Sequence, residues 1–383
     1  MEFELSPEQR EIQALARDFA ASEIEPNAAD WDREHGFPDA LVEKLASLGL
    51  LAVCVPEELG GAGADFLSYV LVLEELSRAD AGVGVTVAVH TSAATLPIVR
   101  FGTDEQRTSF VPTLARGERL GAFALTEPES GSDAASLRTR AERDGDGWRL
   151  SGRKQWITNA GRAATILVFA RTSEGISCFV VDSDAPGLSV GPEAEKLGLA
   201  SSSTVDLALD GVGVGGERLL GEEGEGFRIA MATLDGGRIG IAAQAVGIAQ
   251  AAYDFAREYA RERRQFGRPI ADFQAIQWKL ADMATEIDAA RLLVHRAAWL
   301  RDRGEPHGEA GAKAKLFASE MARRQTSEAI QILGGYGYMK EFPVERFYRD
   351  AKITEIYEGT SEIQRIVIAR SVLGLRAREP VSA

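Results

Sequence analysis

The spacing of apolar residues changes character twice along the chain. Near the start, Ile12, Leu15 and Phe19 recur at helical intervals. They follow Ser6 and Gln9, which read as a capping box with Pro7 at the first helical position. A second helix is expected near 38–48, stopping at Gly49. Phe66 to Leu76 and a capped stretch from Thr103 to Leu114 are expected as further helices. Between them PEELGGAG (56–63) is too rich in Gly and Pro for regular structure. From about 121 the apolar runs shorten. LRTRAERDGDGWRLSGRKQWIT alternates about Asp144–Gly147, the pattern of a hairpin. ATILVFART, ISCFVVDS and STVDLALDGV are short apolar or alternating runs bounded by Gly, Asp and Ser, and point to a small antiparallel sheet. From 234 helical spacing returns. Ile276, Leu280, Met283, Ile287, Ala290, Val294 and Ala297 step by four and three, a narrow seam suited to a helical bundle and to core packing. Further helices are expected from about Lys313 to Leu333, ending at Gly334–Gly335, and from about Ser361 to Leu373, ending at Gly374. The expected fold is α+β and mostly α: an N-terminal helical domain (1–120), a middle antiparallel β domain (121–233) and a C-terminal four-helix bundle (234–383).

Length agrees with several packed parts, because 383 residues exceed what one hydrophobic core usually serves. A net charge of −15 argues against a nucleic-acid backbone or an anionic membrane surface as partner. Cys54 and Cys178 are too few for a disulfide framework, and each sits in an apolar run as a small buried hydrophobe would. The four histidines are scattered and no HExxH or CxxC occurs, so no metal site is expected. The acidic start, MEFELSPEQREIQALARDF, resembles neither a signal nor a transit peptide. No run approaches 18 uninterrupted apolar residues, so no membrane span is expected. The expectation is a cytoplasmic, bacterial protein.

Five stretches carry candidate chemistry, each with a plain alternative. GVGVGG (211–216) fits a dinucleotide-binding fingerprint, but Gly221, Gly224 and Gly226 interrupt the helix it would need, so it reads as a loop leaving the sheet. LTEPESGSDA (125–134) is either a polar interdomain loop or a loop that offers hydroxyls and N–H groups to a polar ring or phosphate. QWITN (155–159) places Trp156 and Thr158 two apart, on one face of a strand: a core tryptophan, or an aromatic wall beside a hydroxyl for a flat heterocycle. ARERRQFGRPIADFQAIQ (260–277) is locally basic, either a solvated charge run or a phosphate clamp. In QILGGYGYMKEFPVERFYRDAKITEIYEGTSEIQ (331–364), Glu358 lies between Tyr357 and Gly359 as either a surface charge or a base.

VPEELGGAG, LTEPESGSDA, QWITN, ERRQFG with FQAIQ, QILGGYGY and IYEGTSEIQR, in this order and spacing, resemble the acyl-CoA dehydrogenases over nearly the whole chain. The resemblance, closest in type to the short- and medium-chain or butyryl-CoA enzymes, implies an FAD-dependent α,β-dehydrogenation of acyl-CoA to 2-enoyl-CoA in fatty-acid β-oxidation. It also implies a homotetramer that passes electrons to an electron-transfer flavoprotein. It assigns Phe123, Leu125, Thr126, Ser132, Trp156, Ile157 and Thr158 to the flavin ring. Arg263, Phe266, Gln274, Gln331, Leu333, Gly334 and Gly335 go to the pyrophosphate and adenosine, and Thr360 and Glu362 to closure over the cofactor. Ser132, the segment Asp235 to Arg238, Tyr357 and Gly359 are implied as acyl-CoA contacts, and Glu358 as the α-proton base. In this family the enolate oxygen takes hydrogen bonds from the base residue's own N–H and from a ribityl hydroxyl.

Two departures stand out. Glu129 and Ser130 replace the glycine and small residue usual in the flavin loop, placing a negative charge near the cofactor. The second base position known among relatives is Gly237 here, which leaves Glu358 alone. Two alternatives share the fold: an acyl-CoA oxidase, whose members are commonly much longer, and a nucleic-acid-binding flavoprotein, which would want a basic C-terminal extension where this chain ends RAREPVSA.

Overall fold

A computed structural model describes residues 4–375. RAREPVSA and the first three residues of the acidic start lie outside that range.

The chain opens with the helix its sequence signals, α1 (Pro7–Phe19): Ser6 Oγ accepts from Gln9 N at 3.1 Å and Gln9 Oε1 from Ser6 N at 2.9 Å. Such a box closes two N–H groups that the first helical turn leaves open. There follow α2 (Ala28–Glu34), α3 (Asp39–Ser47), α4 (Phe66–Ala79), α5 (Ala81–Ala88), a π-helical turn over Val89–Thr95, α6 (Leu96–Phe101) and α7 (Asp104–Ala115). The run Ala81–Phe101 bears on the expectation of no membrane span. It is a helix long and apolar enough to cross a membrane, with mean hydropathy 1.5 over its most apolar 18 residues, but 89% of those are buried inside the protein. It is a core element, covered by a later helix and the first strand.

The sheet consists of β1 (Leu120–Ala124), β2 (Arg140–Asp144), β3 (Gly147–Thr158), β4 (Ala163–Thr172), β5 (Gly175–Asp182), β6 (Leu188–Val190), β7 (Thr204–Val214) and β8 (Leu219–Leu220), ordered β6-β7-β3-β2-β4-β5-β8 with β1 also on β4. The hairpin β2–β3 turns with Asp144 opposite Gly147, as the sequence predicts. The sheet is not wholly antiparallel, since β4 runs parallel to both β1 and β2. The inward face of β3 carries Trp148, Leu150 and Lys154, all buried.

The last part is α8 (Gly226–Glu262), a ribbon of β9 (Arg264–Gln265) and β10 (Arg268–Pro269), α9 (Gln274–Asp302), α10 (Gly308–Leu333), α11 (Val344–Ile353) and α12 (Ser361–Val372). Helix α8 packs against α10, α4 and α9. It approaches α4 closely because glycines face it: a Cβ on Gly247 would strike the Glu74 carbonyl. On α9, Met283, Ile287, Ala290, Val294 and Ala297 are buried and Ile276 and Leu280 half-buried, the seam its spacing predicts. Cys178 is buried; Cys54 is only partly so.

Candidate active site

Glu358 sits in the turn between α11 and α12 with φ of +52°, a left-handed conformation unusual for a residue with a side chain. Gly359 follows at φ +92° and Thr360 caps α12, its Oγ1 accepting from Ile363 N. The turn is tied down from below. Gln364 Nε2 donates to the carbonyls of Glu358 (3.3 Å) and Gly359 (2.7 Å). Lys315 Nζ, from α10, donates to the carbonyls of Thr354 (3.0 Å) and Gly359 (2.7 Å).

The Glu358 carboxylate points at α8. A Cβ on Gly237 would collide with its Oε2. That oxygen is shut off from solvent and has no hydrogen-bond partner. Burial pushes the carboxyl up to about 7, while Lys315 and then Arg238 pull it back. A carboxylate so placed is half ionised near neutrality and poorly solvated, which strengthens it as a base. Around it, Arg238 is buried and paired with Asp235 at 2.6 Å, and the Tyr357 hydroxyl donates to Gln244. Asp235, Arg238, Tyr357 and Gly359 are thus gathered with Glu358 about one end of α8. Lys315, Gln364 and Gln244 were missed from sequence.

A second group lines an open cleft of about 460 Å³: Arg263, Leu333, Gly334 and Gly335, with Tyr259, Gln265 and Tyr336. Arg263 lies 5.2 Å from the Tyr336 ring centre at the end of α8. Nothing would touch a Cβ on Gly334 or Gly335, so the cleft floor is open to a large ligand. A guanidinium, aromatic rings and bare backbone suit a dinucleotide's phosphates and adenosine. Gln331, Gln274 and Glu362 are exposed at helix ends, and Phe266 projects from the ribbon, 93% exposed. None of these four lines the cleft.

The third group is on the sheet. Phe123 stacks on Phe169 at 4.8 Å. The carbonyl of Leu125 accepts from Lys154 Nζ at 3.1 Å, and that of Thr126 from Gln155 N at 2.9 Å. Ser132 is exposed, Ile157 belongs to the core and Thr158 is half-buried. Trp156 departs from simple alternation. It has φ +57°, lies where the β3–β7 register slips, and is 63% exposed. The bulge turns the indole outward, as an aromatic wall requires and a core tryptophan does not.

The 125–134 loop hangs on a buried pair also missed from sequence. Lys154 is fully buried and holds Glu127 at 2.8 Å. Glu127 in turn accepts from Arg138 N (2.5 Å) and Thr139 N (3.0 Å). Burial works to raise the Glu127 carboxyl, but Lys154 and these N–H groups outweigh it and hold the group below its ordinary range. The unusual Glu129 is exposed and 3.4 Å from Arg138, so its charge is partly answered at the surface. Ser130 is buried and bonds Asp133 O. Among the described residues no group of side chains is arranged to hold a metal.

A buried carboxylate without a partner facing the first half of α8, a nucleotide-sized cleft at the far end of the same helix and an outward indole on the sheet are together the equipment of a flavin-dependent oxidoreductase. Models of the acyl-CoA dehydrogenase family match the chain throughout: the N-terminal domain over residues 6–118, the middle domain over 122–212 and the C-terminal domain over 224–373. The mitochondrial short-chain specific acyl-CoA dehydrogenase of Bos taurus is 52% identical, over 97% of this chain and 91% of that one. Butyryl-CoA dehydrogenase from Megasphaera elsdenii has the same fold at TM-score 0.96 and 45% identity, covering 97% of this chain and all of that one. A chain from structural work on the electron transferring flavoprotein of Acidaminococcus fermentans and flavin-based electron bifurcation matches at TM-score 0.96 and 46% identity, with the same coverage. The chain belongs to the acyl-CoA dehydrogenase family, whose members are FAD-dependent oxidoreductases.

Arg263→Ala is expected to weaken FAD binding by about one to two powers of ten, the worth of a charge-assisted phosphate contact of about 1.5–3 kcal/mol. Dissociation constants from flavin fluorescence would decide it, and equal values would remove Arg263 from the FAD site.

Proposed function

We propose that the protein oxidises a short-chain acyl-CoA to its 2-enoyl-CoA, with Glu358 removing the α-proton, and delivers the electrons to an electron-transfer flavoprotein. The observation that carries this reading is Glu358 itself: a carboxylate with a buried, unpartnered oxygen, on a turn in left-handed conformation, facing a glycine. The α-proton of a thioester is weakly acidic, so the base must be strong and the enolate oxygen must be stabilised. Poor solvation of Glu358 supplies the first. Its own N–H takes no backbone acceptor among the described residues, so it is available to the thioester oxygen. Asp235, Arg238 and Tyr357 frame the acyl-CoA, with Ser132 and Gly359 as further contacts. The sheet group with Trp156 holds the flavin end of FAD, the Arg263 cleft of a neighbouring subunit holds part of its adenine end, and bound FAD supplies the hydride acceptor. Phe266, Gln274, Gln331, Thr360 and Glu362 complete the cofactor site. Those of them that stand exposed are covered in a homotetramer, which we propose as the working assembly. The short-chain assignment rests on the butyryl-CoA and short-chain specific relatives, and the electron outlet on the Acidaminococcus relative. Residues 7–19 form a helix packed on α4, and we place the protein in the bacterial cytoplasm as an enzyme of β-oxidation.

The test is anaerobic addition of acyl-CoAs of graded length to the purified yellow protein, followed by oxygen or electron-transfer flavoprotein. Four- to six-carbon substrates are expected to bleach the flavin fastest, and the reduced enzyme to be reoxidised quickly only by the flavoprotein. Hydrogen peroxide formed at the flavoprotein-coupled rate would establish the oxidase instead.

A further inference from the structure

We propose that Lys315 is a positioning residue for the dehydrogenation reaction: it fastens the turn that carries Glu358 through two main-chain carbonyls and supplies the positive charge that keeps the base ionised. The proposal rests on the reading of Glu358 as base.

Lys315 is fully buried. An ammonium group is costly to bury, and a helix position facing the core is ordinarily filled by an apolar residue. Its two hydrogen bonds go to the carbonyls of Thr354 and Gly359, which bracket Glu358 in sequence. Removing them frees the segment whose left-handed residue aims the carboxylate. Among the described residues Lys315 makes no ion pair, so its charge is not consumed by a contact partner, unlike those of Arg238, Arg323 and Lys352. Arg238 is spent on Asp235. Arg323 and Lys352 both hold Glu355, at 2.8 and 2.5 Å.

The charged and titratable groups facing the base are few: Lys315 from α10, Arg238 from α8, and the buried phenols Tyr69 from α4 and Tyr357 from the turn itself. Those facing Lys315 are Glu358, Arg238 and Glu355. Since Glu355 is already doubly paired, Glu358 is the carboxylate that Lys315 answers. Burial lowers the ammonium to about 8 with Glu358 opposing, and raises Glu358 to about 7 with Lys315 the foremost group opposing. Each therefore favours the charged form of the other. Without Lys315 the base would be protonated over more of the working pH range, and the acid limb would move upward.

Lys315→Gln removes the charge and keeps donor capacity, Lys315→Met removes both, and Lys315→Arg keeps the charge. The holoenzymes would be titrated with a 3-thiabutyryl-CoA, whose sulfur blocks hydride loss while the α-proton can still be removed. The enolate is read as long-wavelength absorbance against the flavin. Lys315→Gln and Lys315→Met are expected to move the midpoint up by about one pH unit or more, and Lys315→Arg to restore it. Lys315→Met alone should also weaken probe binding, because the turn is released. Should Lys315→Met fail to retain FAD, Lys315→Gln decides. A wild-type midpoint in Lys315→Gln, beside a Glu358→Gln control that forms no enolate, would overturn the role given to Lys315. Enolate formation in Glu358→Gln would overturn the base assignment instead.

Discussion

Glu358→Gln should leave a yellow protein that binds acyl-CoA and scarcely bleaches, with flavin reduction slowed by about 10²–10⁴-fold. Glutamine keeps the volume of glutamate but cannot take up a proton. Gly237 makes the loss hard to evade, since no second carboxylate stands at the other position known among relatives. It also yields a companion result. A Cβ at 237 would occupy the place of Glu358 Oε2, so Gly237→Ala should displace the carboxylate and slow reduction while FAD stays bound. Stopped-flow reduction of both variants is the measurement. Near wild-type bleaching by Glu358→Gln with FAD retained would show that another group takes the proton. In the wild type, activity should fall as pH drops through about 7, because the raised carboxyl is then protonated before catalysis.

The second large effect is structural. Lys154→Met should cost about 3–5 kcal/mol, because it strands the Glu127 carboxylate in the interior without its cation. Pairing it with Glu127→Gln should return part of that loss, since both charges are then gone. Urea unfolding and FAD content would report both variants, and a wild-type midpoint for Lys154→Met would show the pair to be dispensable. The sign with pH follows from Glu127 being held below its ordinary range. Its contribution is full above about pH 4–5, where the unfolded group is ionised, and is lost as pH falls through the lower folded value.

What was legible in the sequence followed from periodicity and local chemistry. The Ser6–Gln9 box, the α9 seam and the Asp144–Gly147 hairpin each depend on residues a few positions apart. Glu358 was visible only through IYEGT, because a lone loop glutamate carries no signal of burial. The helix Ala81–Phe101 gives no helical signal because it is apolar on every side and so has no period to read. The Trp156 bulge and the parallel pairing of β4 depend on partners far along the chain. The buried lysines left a faint trace. Lys154 continues the inward alternation of Trp148 and Leu150, and Lys315 lies one helical turn from Gly311 and Ser319, both buried. A charge on an inward stripe is the pattern to look for.

The apolar run Ala81–Phe101 also has a consequence during synthesis. The elements that pack on it, β1 and above all α8, are made later, and α8 ends at Glu262. At about 5–20 residues per second the ribosome takes roughly ten to thirty seconds to supply that cover. For that interval the nascent chain displays a segment as greasy as a membrane helix, so holding by a chaperone, rather than the speed of chain collapse, is expected to govern the yield of native protein.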